Sequence, residues 1–412
     1  MKPFILYLKE QDASIERNLH IPHLEDLIIF QGQDGVKKVL DFFENLIQKL
    51  EGEDAPIKIN TKVDGAPSLF AGINPENGKF FVATKSLFNK LNPKINYTFS
   101  DIDENHENKQ LNHKLKVARK YLPRLGIKTI LNGDMLFTKD DLEIKNIHDK
   151  KHYVFRPNTI TYAVEVDSDV GKKLAEAELG IIFHTEYVGD TIASLKPKHD
   201  IDVDTLNDDK SVWYRVSDFN NISTVVPKTK EDVQELRNKL IYLNQAADAV
   251  PVTVLDKIEH EPELSDTLSK YINFLVRRGE LLSKTADKKV EAYKEYLKEK
   301  FSGEISTLKS EQSKQKRLRR LKYLLDIVDD NKQDFKDFFV LYNRILKLKT
   351  DVLMLYNKIQ RKLEPFLDDG KDLIPTEQEG LILTTDDGVV KIVDRDIFSR
   401  YNFNLPKNWD KK

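Results

Sequence analysis

Cysteine is absent from this chain of 412 residues. That excludes disulfides, thiolate nucleophiles and cysteine metal sites, and nothing here argues for secretion. Long apolar runs are missing too. None approaches the roughly 20 residues that cross a bilayer, so no membrane partner is expected. The opening Met1-Lys-Pro-Phe-Ile-Leu-Tyr-Leu8 is too short, and too soon followed by charge, for a signal peptide. The expected location is the cytoplasm. Charge of one sign is also lacking. A net charge of -2 gives no global pull towards nucleic acid, so any such binding must come from a local patch. Internal repeats, low-complexity tracts and a Gly-Lys-Ser/Thr phosphate loop do not occur. What is there is a charge-rich globular composition, long enough for a large core and more than one domain.

Glycine nearly disappears between about residues 228 and 368. Heptad-like and 3.6-residue patterns take over there, as in Val290-Glu-Ala-Tyr-Lys-Glu-Tyr-Leu-Lys-Glu-Lys300, and predict several helices. The region before about 227 reads as mixed α/β. Apolar spacing predicts a helix over 35–50. Strand-like segments follow at 57–62, 68–72 and 79–84, the last two joined by the hairpin turn Asn74-Pro-Glu-Asn-Gly78. A helix is expected over 109–122, and strands over 128–132, 159–166, 181–187 and 212–216. After Asp369-Gly370 strands return at 380–385 and 389–393, around the turn Asp386-Asp-Gly388. The expected fold class is α/β in the broad sense, α+β, with antiparallel-rich sheets. Residues 1–227 and 371–412 would form one core, and 228–370 a helical insertion.

The segment Ile57-Lys-Ile-Asn-Thr-Lys-Val-Asp-Gly-Ala-Pro-Ser-Leu-Phe70 contains the compact pattern Lys62-Val-Asp64-Gly65. An amine at the end of a strand, a carboxylate two residues on and a glycine that permits a tight turn suit covalent chemistry on a phosphate. Burial and neighbouring cations can lower a lysine pKa from about 10.4 towards the range where the amine is nucleophilic. Further short segments follow in order: Thr84-Lys85-Ser86, Leu131-Asn-Gly-Asp134-Met-Leu136, Ile160-Thr-Tyr162-Ala-Val-Glu165, Glu379-Gly-Leu-Ile-Leu383 and Val390-Lys391-Ile392.

With these segments in this order, the chain resembles the covalent nucleotidyltransferases: the ATP-dependent RNA and DNA ligases and the mRNA capping enzymes. The resemblance is nearest to phage-type RNA ligases. It implies that Lys62 attacks the α-phosphate of ATP and becomes lysyl-AMP; Asp64, two residues on, suits either orienting groups around the amine or helping to hold a metal. It also implies that Gly65, Lys85, Asp134, Tyr162, Glu379 and Lys391 hold the nucleotide. Tyr162 would stack on the base, and Lys391 would offset charge at the α-phosphate. Glu379 and Asp134 would hold Mg2+, or Mn2+ in its place. The adenylate would then pass to a nucleic-acid 5′-phosphate, with RNA preferred to DNA. Asp134 stands where the family usually has glutamate, and Val389 where it often has a lysine. Little chain follows Lys391, so no C-terminal OB-type domain is expected. Much of the α/β part also resembles an uncharacterised family of tailed-bacteriophage proteins, for which the location would be the host cytoplasm. The alternatives are a nucleotidyltransferase that modifies ends without sealing them, and a non-catalytic nucleic-acid-binding or virion-associated protein with a ligase-like core.

Lys314-Gln-Lys-Arg-Leu-Arg-Arg-Leu-Lys322 is the strongest basic cluster. Lys314, Lys316, Arg317, Arg319 and Arg320 suit contact with nucleic-acid phosphates. The other reading is a solvated face whose leucines pack on the core. His20-Ile-Pro-His23 has the residue types of a metal site, but a loop capping the segment from Leu24 is the favoured reading. Asp200-Ile-Asp-Val-Asp204 reads as an exposed loop. His184 and Glu186 alternate along a predicted strand, either lining the nucleotide pocket or facing out from a sheet edge.

Overall fold

A computed structural model describes residues 21–400, apart from residues 64, 90, 159, 199–200, 202–204, 217–227, 359–363, 369–372 and 376–378. Along the chain come α1 (Gly32–Glu51), β1 (Lys58–Lys62), β2 (Ser68–Ile73), β3 (Phe80–Ala83), α2 (Phe99–Asn105) and α3 (Lys109–Tyr121). Next are β4 (Ile130–Thr138), β5 (Glu143–Ile147), β6 (Lys150–Phe155), β7 (Thr161–Glu165), α4 (Asp169–Glu176), β8 (Leu179–Val188), β9 (Lys196–Lys198) and β10 (Val212–Val216). Helices α5 (Lys230–Ala249), α6 (Val252–His260), α7 (Pro262–Arg278), α8 (Ala286–Thr307), α9 (Glu311–Asp330) and α10 (Lys332–Asn357) follow without an intervening strand among the described residues. Then come β11 (Glu364–Asp368), β12 (Leu373–Pro375), β13 (Gly380–Thr385) and β14 (Gly388–Val393), and a short helical segment, Arg395–Ser399.

The fold is α+β, with three sheets among the described residues. Sheet A has the order β1-β13-β14, all antiparallel. Sheet B has the order β10-β8-β4-β2-β3, with β9 also on β8; only β10 and β8 run parallel. Sheet C has the order β12-β11-β7-β6-β5 and is antiparallel. The strands after the helices thus rejoin sheets begun before them, β11 on β7 and β13 on β1. Strand structure resumes at Glu364, before the expected turn at Asp369-Gly370.

Helix α1 shows how pattern becomes packing. Val36, Val39, Phe42, Phe43, Leu46, Ile47 and Leu50 recur at helical spacing and are all buried. The helix ends where Gly52 takes a left-handed φ of 91°, and its amide and that of Glu53 close on Lys49 and Gln48. These apolar residues do not join the cores of sheets B and C. They share one core with helices α5 to α10 and with Ile59, Leu381, Leu383, Val390 and Ile392 of sheet A. Sheet B packs its other core against α3 through Leu69, Ala71, Leu131, Met135 and Phe183.

Candidate active site

In sheet A, backbone pairing sets Lys62 opposite Gly380, and Ile382 opposite Lys391. Successive strand residues point to opposite faces. Ile59, Leu381, Leu383, Val390 and Ile392 take the face covered by helices. Lys62 and Lys391 therefore project from the other face, on strands either side of β13. Glu379 immediately precedes Gly380, and the Lys62 ammonium donates to its carboxylate Oε2. The Glu379 side chain is only 7% exposed, so this pair is well removed from solvent.

The loop after Lys62 runs onto β4. Ala66 N donates to Met135 O at 2.9 Å, and Met135 N donates to Pro67 O at 3.1 Å. Just before them in the chain, Gly65 backs onto Asp134, with no room for a side chain. Asp134 pairs in the sheet with Ser68 on one side and Ile182 on the other. His184 Nε2 lies 3.7 Å from Asp134 Oδ1, and its Nδ1 is 2.9 Å from Thr185 Oγ1. Burial pushes the Asp134 carboxyl up, but the hydrogen bond and charge of His184, the charge of Lys62 and a hydrogen bond from Ser68 outweigh it. The net effect holds Asp134 below the ordinary carboxylate range.

Lys391 is drawn the other way. Burial, followed by the positive charge of Lys62, lowers its pKa to about 8, against the partial support of Glu379 and Asp26. Lys85 follows β3. It opens a short 3-10 turn, Lys85–Phe88, which Thr84 caps. Burial lowers its pKa as well.

Lys62, Asp134, Glu379 and Lys391 are thus brought together from β1, β4, the start of β13 and β14. Asp64 lies outside the described residues, as do His20, Asp200, Asp202 and Asp204. Tyr162 is 3% exposed and packs against Phe155, ring centroids 5.7 Å apart, in a core that includes Val63, Ile182 and Val393. β8 is an inner strand: β10 lies beside its first half, up to Phe183, and β9 beside Glu186, with β4 on the other side. Glu186 pairs with Lys198 at 3.2 Å.

The basic helix is α9. Arg317 pairs with Glu263 and with Glu304, and its guanidinium lies 4.1 Å from the Phe301 ring centre. Arg320 pairs with Glu261 and Glu263. These two arginines tie α9 to α7 and α8. Lys314 reaches Glu311 at 2.8 Å within its own helix. Lys316 and Arg319 are exposed and have no ion pair among the described residues.

Sequence reasoning missed a buried charge network behind sheet A. Glu25, 0% exposed, receives Lys349 Nζ at 2.6 Å and lies 3.5 Å from Arg395. Arg395 also reaches Asp26 at 3.1 Å and Asn273 at 2.7 Å. Burial raises the Glu25 pKa, but the charges of Lys349 and Arg395 bring it below its ordinary value. The available signal was Lys349 itself, a charge within the apolar stripe of α10.

As for a metal, the carboxylate of Glu379 already receives a cation, the Lys62 ammonium, at a buried position. Carboxylate oxygens there and at Asp134 are donors of the type Mg2+ or Mn2+ takes. Among the described residues, three ligand groups lie within mutual reach at Asp256, Glu259 and His260 of α6, and Glu379 and Asp134 are not part of that group.

The molecule is an α+β protein with two lysines and two carboxylates gathered from separate strands. It belongs to DUF6267, a family of unknown function, which it matches over residues 18–407. No curated protein and no solved structure matches the chain. No helix among the described residues is long and apolar enough to cross a membrane.

Proposed function

We propose that this protein is an ATP-dependent polynucleotide ligase, acting on RNA ends in preference to DNA ends through a lysyl-AMP intermediate. The observation that carries the reading is the meeting of Lys62 with Glu379, beside Lys391 on the same sheet face. Residues far apart in sequence converge there, which supports the reading. The preference for RNA rests on the resemblance of Thr84-Lys85-Ser86 to RNA ligases.

The chemistry follows from the groups present. The Lys62 nitrogen attacks the α-phosphorus, a P–N bond forms and the bond to the bridging oxygen of pyrophosphate breaks. Before the attack the Lys62 ammonium passes one proton to the Glu379 carboxylate, which frees the nitrogen lone pair, and a second proton leaves with the departing pyrophosphate as the phosphoramidate forms. A nucleic-acid 5′-phosphate oxygen then attacks the same phosphorus and releases Lys62. A 3′-hydroxyl attacks the resulting 5′,5′ linkage and AMP departs. Glu379 fixes the amine through its ion pair, and Lys391 faces the developing phosphate charge with a cation close to its own pKa. A divalent ion held by Glu379 and Asp134 would supply further positive charge to the phosphates.

The test is incubation with α-labelled ATP or GTP and Mg2+, followed by denaturation. Acid-resistant, amine-linked label on the wild type, lost in Lys62→Ala, is the expected result. No label from either nucleotide sinks the proposal.

A further inference from the structure

The segment before Leu24 runs alongside β14. Lys391 N donates to Pro22 O at 2.9 Å, and His23 is the parallel bridge partner of Lys391. Bridge partners share a face of the sheet. His23 therefore projects from the face that bears Lys391 and Lys62, opposite the face packed on helices. Its side chain is half-buried, and its Nδ1 is sealed from solvent without a hydrogen-bond partner. Burial, and then the charges of Arg395, Lys391, Lys349 and Lys62, hold the imidazole pKa well below its ordinary value. The ring is neutral at pH 7, with one N–H to donate, and cations surround it.

A buried polar atom without a partner in the protein calls for an explanation. In the tautomer with the proton on Nδ1, a phosphate oxygen would accept from it, and its charge would suit the two ammonium groups nearby. Lys391 Nζ has no hydrogen-bond partner among the described residues either, while Glu25 and Asp26 are engaged by Lys349 and Arg395. We infer that His23 is a phosphate-binding residue of this site, donating its Nδ1–H to a phosphate oxygen of the nucleotide bound between Lys62 and Lys391. This rests on the nucleotide reading of the Lys62 site and adds a residue to it from outside the ordered segments.

Three proteins test it: wild type, His23→Ala and His23→Asn, whose side-chain amide places an N–H near that of Nδ1. Each is titrated calorimetrically with Mg-ATP and, separately, with inorganic pyrophosphate. The proteins are also labelled with 15N at histidine, and the signal missing from His23→Asn identifies His23. His23→Ala is expected to weaken both affinities roughly tenfold or more, and His23→Asn to stay within about threefold of wild type. The wild-type His23 Nδ1 resonance should move when pyrophosphate is added.

Equal affinities for His23→Ala and wild type, or a resonance that does not move, overturn the assignment. If His23→Ala fails to fold, His23→Asn and the wild-type resonance still decide. Label on Lys62 with an unmoved His23 signal removes His23 alone. A moved signal without any label on Lys62 keeps the phosphate site and removes the ligase.

Discussion

Gly65 lies against Asp134 so closely that a β-carbon on the glycine would sit 2.7 Å from the Asp134 Cβ and 3.1 Å from Met135 O. Neither obstacle is the flexible end of a side chain. The contact holds the loop after Lys62 against the strand that carries Asp134.

Gly65→Ala must therefore displace the loop. Lysyl-nucleotide formation is expected to fall roughly 100-fold, as for a small misplacement of a reacting group. Stability should fall by about 1–3 kcal/mol, the usual penalty of overpacking. Unchanged labelling and unchanged melting would show that the loop yields freely.

Lys62 and Glu379 should be energetically coupled. Lys62→Met takes an ammonium from a buried carboxylate and is expected to destabilise the fold by about 1–3 kcal/mol. Adding Glu379→Gln should recover part of that loss, with a coupling of about 1 kcal/mol or more in a denaturant double-mutant cycle. Strictly additive effects would mean that the pair contributes nothing as a pair.

Lys391 places a cost on the fold that depends on pH. Its pKa is about 8 in the folded protein, against about 10.4 in an unfolded chain. Between these values the unfolded state binds more protons, so stability rises with pH across that window. Below the folded pKa the cost is fully present, on the order of 1–3 kcal/mol. Lys391→Met is expected to raise the melting temperature at pH 7, to lose that advantage near pH 10, and to label poorly with ATP. A melting temperature lowered equally at both pH values would contradict this.

Helix α9 should divide into two functions. Arg317→Ala removes pairs to Glu263 and Glu304 and a contact with Phe301, and is expected to lower stability by about 1–2 kcal/mol. Lys316→Ala with Arg319→Ala should leave melting unchanged. The double variant should weaken RNA binding and reduce the slope of log affinity against log salt by about 2. An unchanged slope would make that face solvent-exposed only.

Much of the strand and helix pattern was legible in local sequence. The alternation Leu381, Leu383 and Val390, Ile392 marks both strands of a hairpin, and the apolar stripe of α1 marks a helix. The hairpin of β5 and β6 was not legible. Its first strand, Glu143-Ile-Lys-Asn-Ile147, is largely exposed, and its turn uses positive φ at His148 and Asp149 rather than at glycine. Lys62, Asp134, Glu379 and Lys391 could each be named from short segments. Their meeting could not, because the pairing of β1 with β13 depends on contacts formed across the whole helical stretch. Alternation also says that Tyr162 is buried without saying among which neighbours. His23 was hidden for a similar reason: what makes it notable is the backbone of Lys391, and no local pattern reports that neighbour.

Sheet A is a partition. One side carries the two lysines, and the other is the lining of a helical interior. A shortened chain without residues 230–357 would turn Ile59, Leu381, Leu383, Val390 and Ile392 towards water as one continuous sticky surface. Such a fragment would associate with itself before its chemistry could be measured. The helices are therefore the back wall of the site, and a sequence comparison confined to the short ordered segments would overlook most of the mass that keeps Lys62 in place.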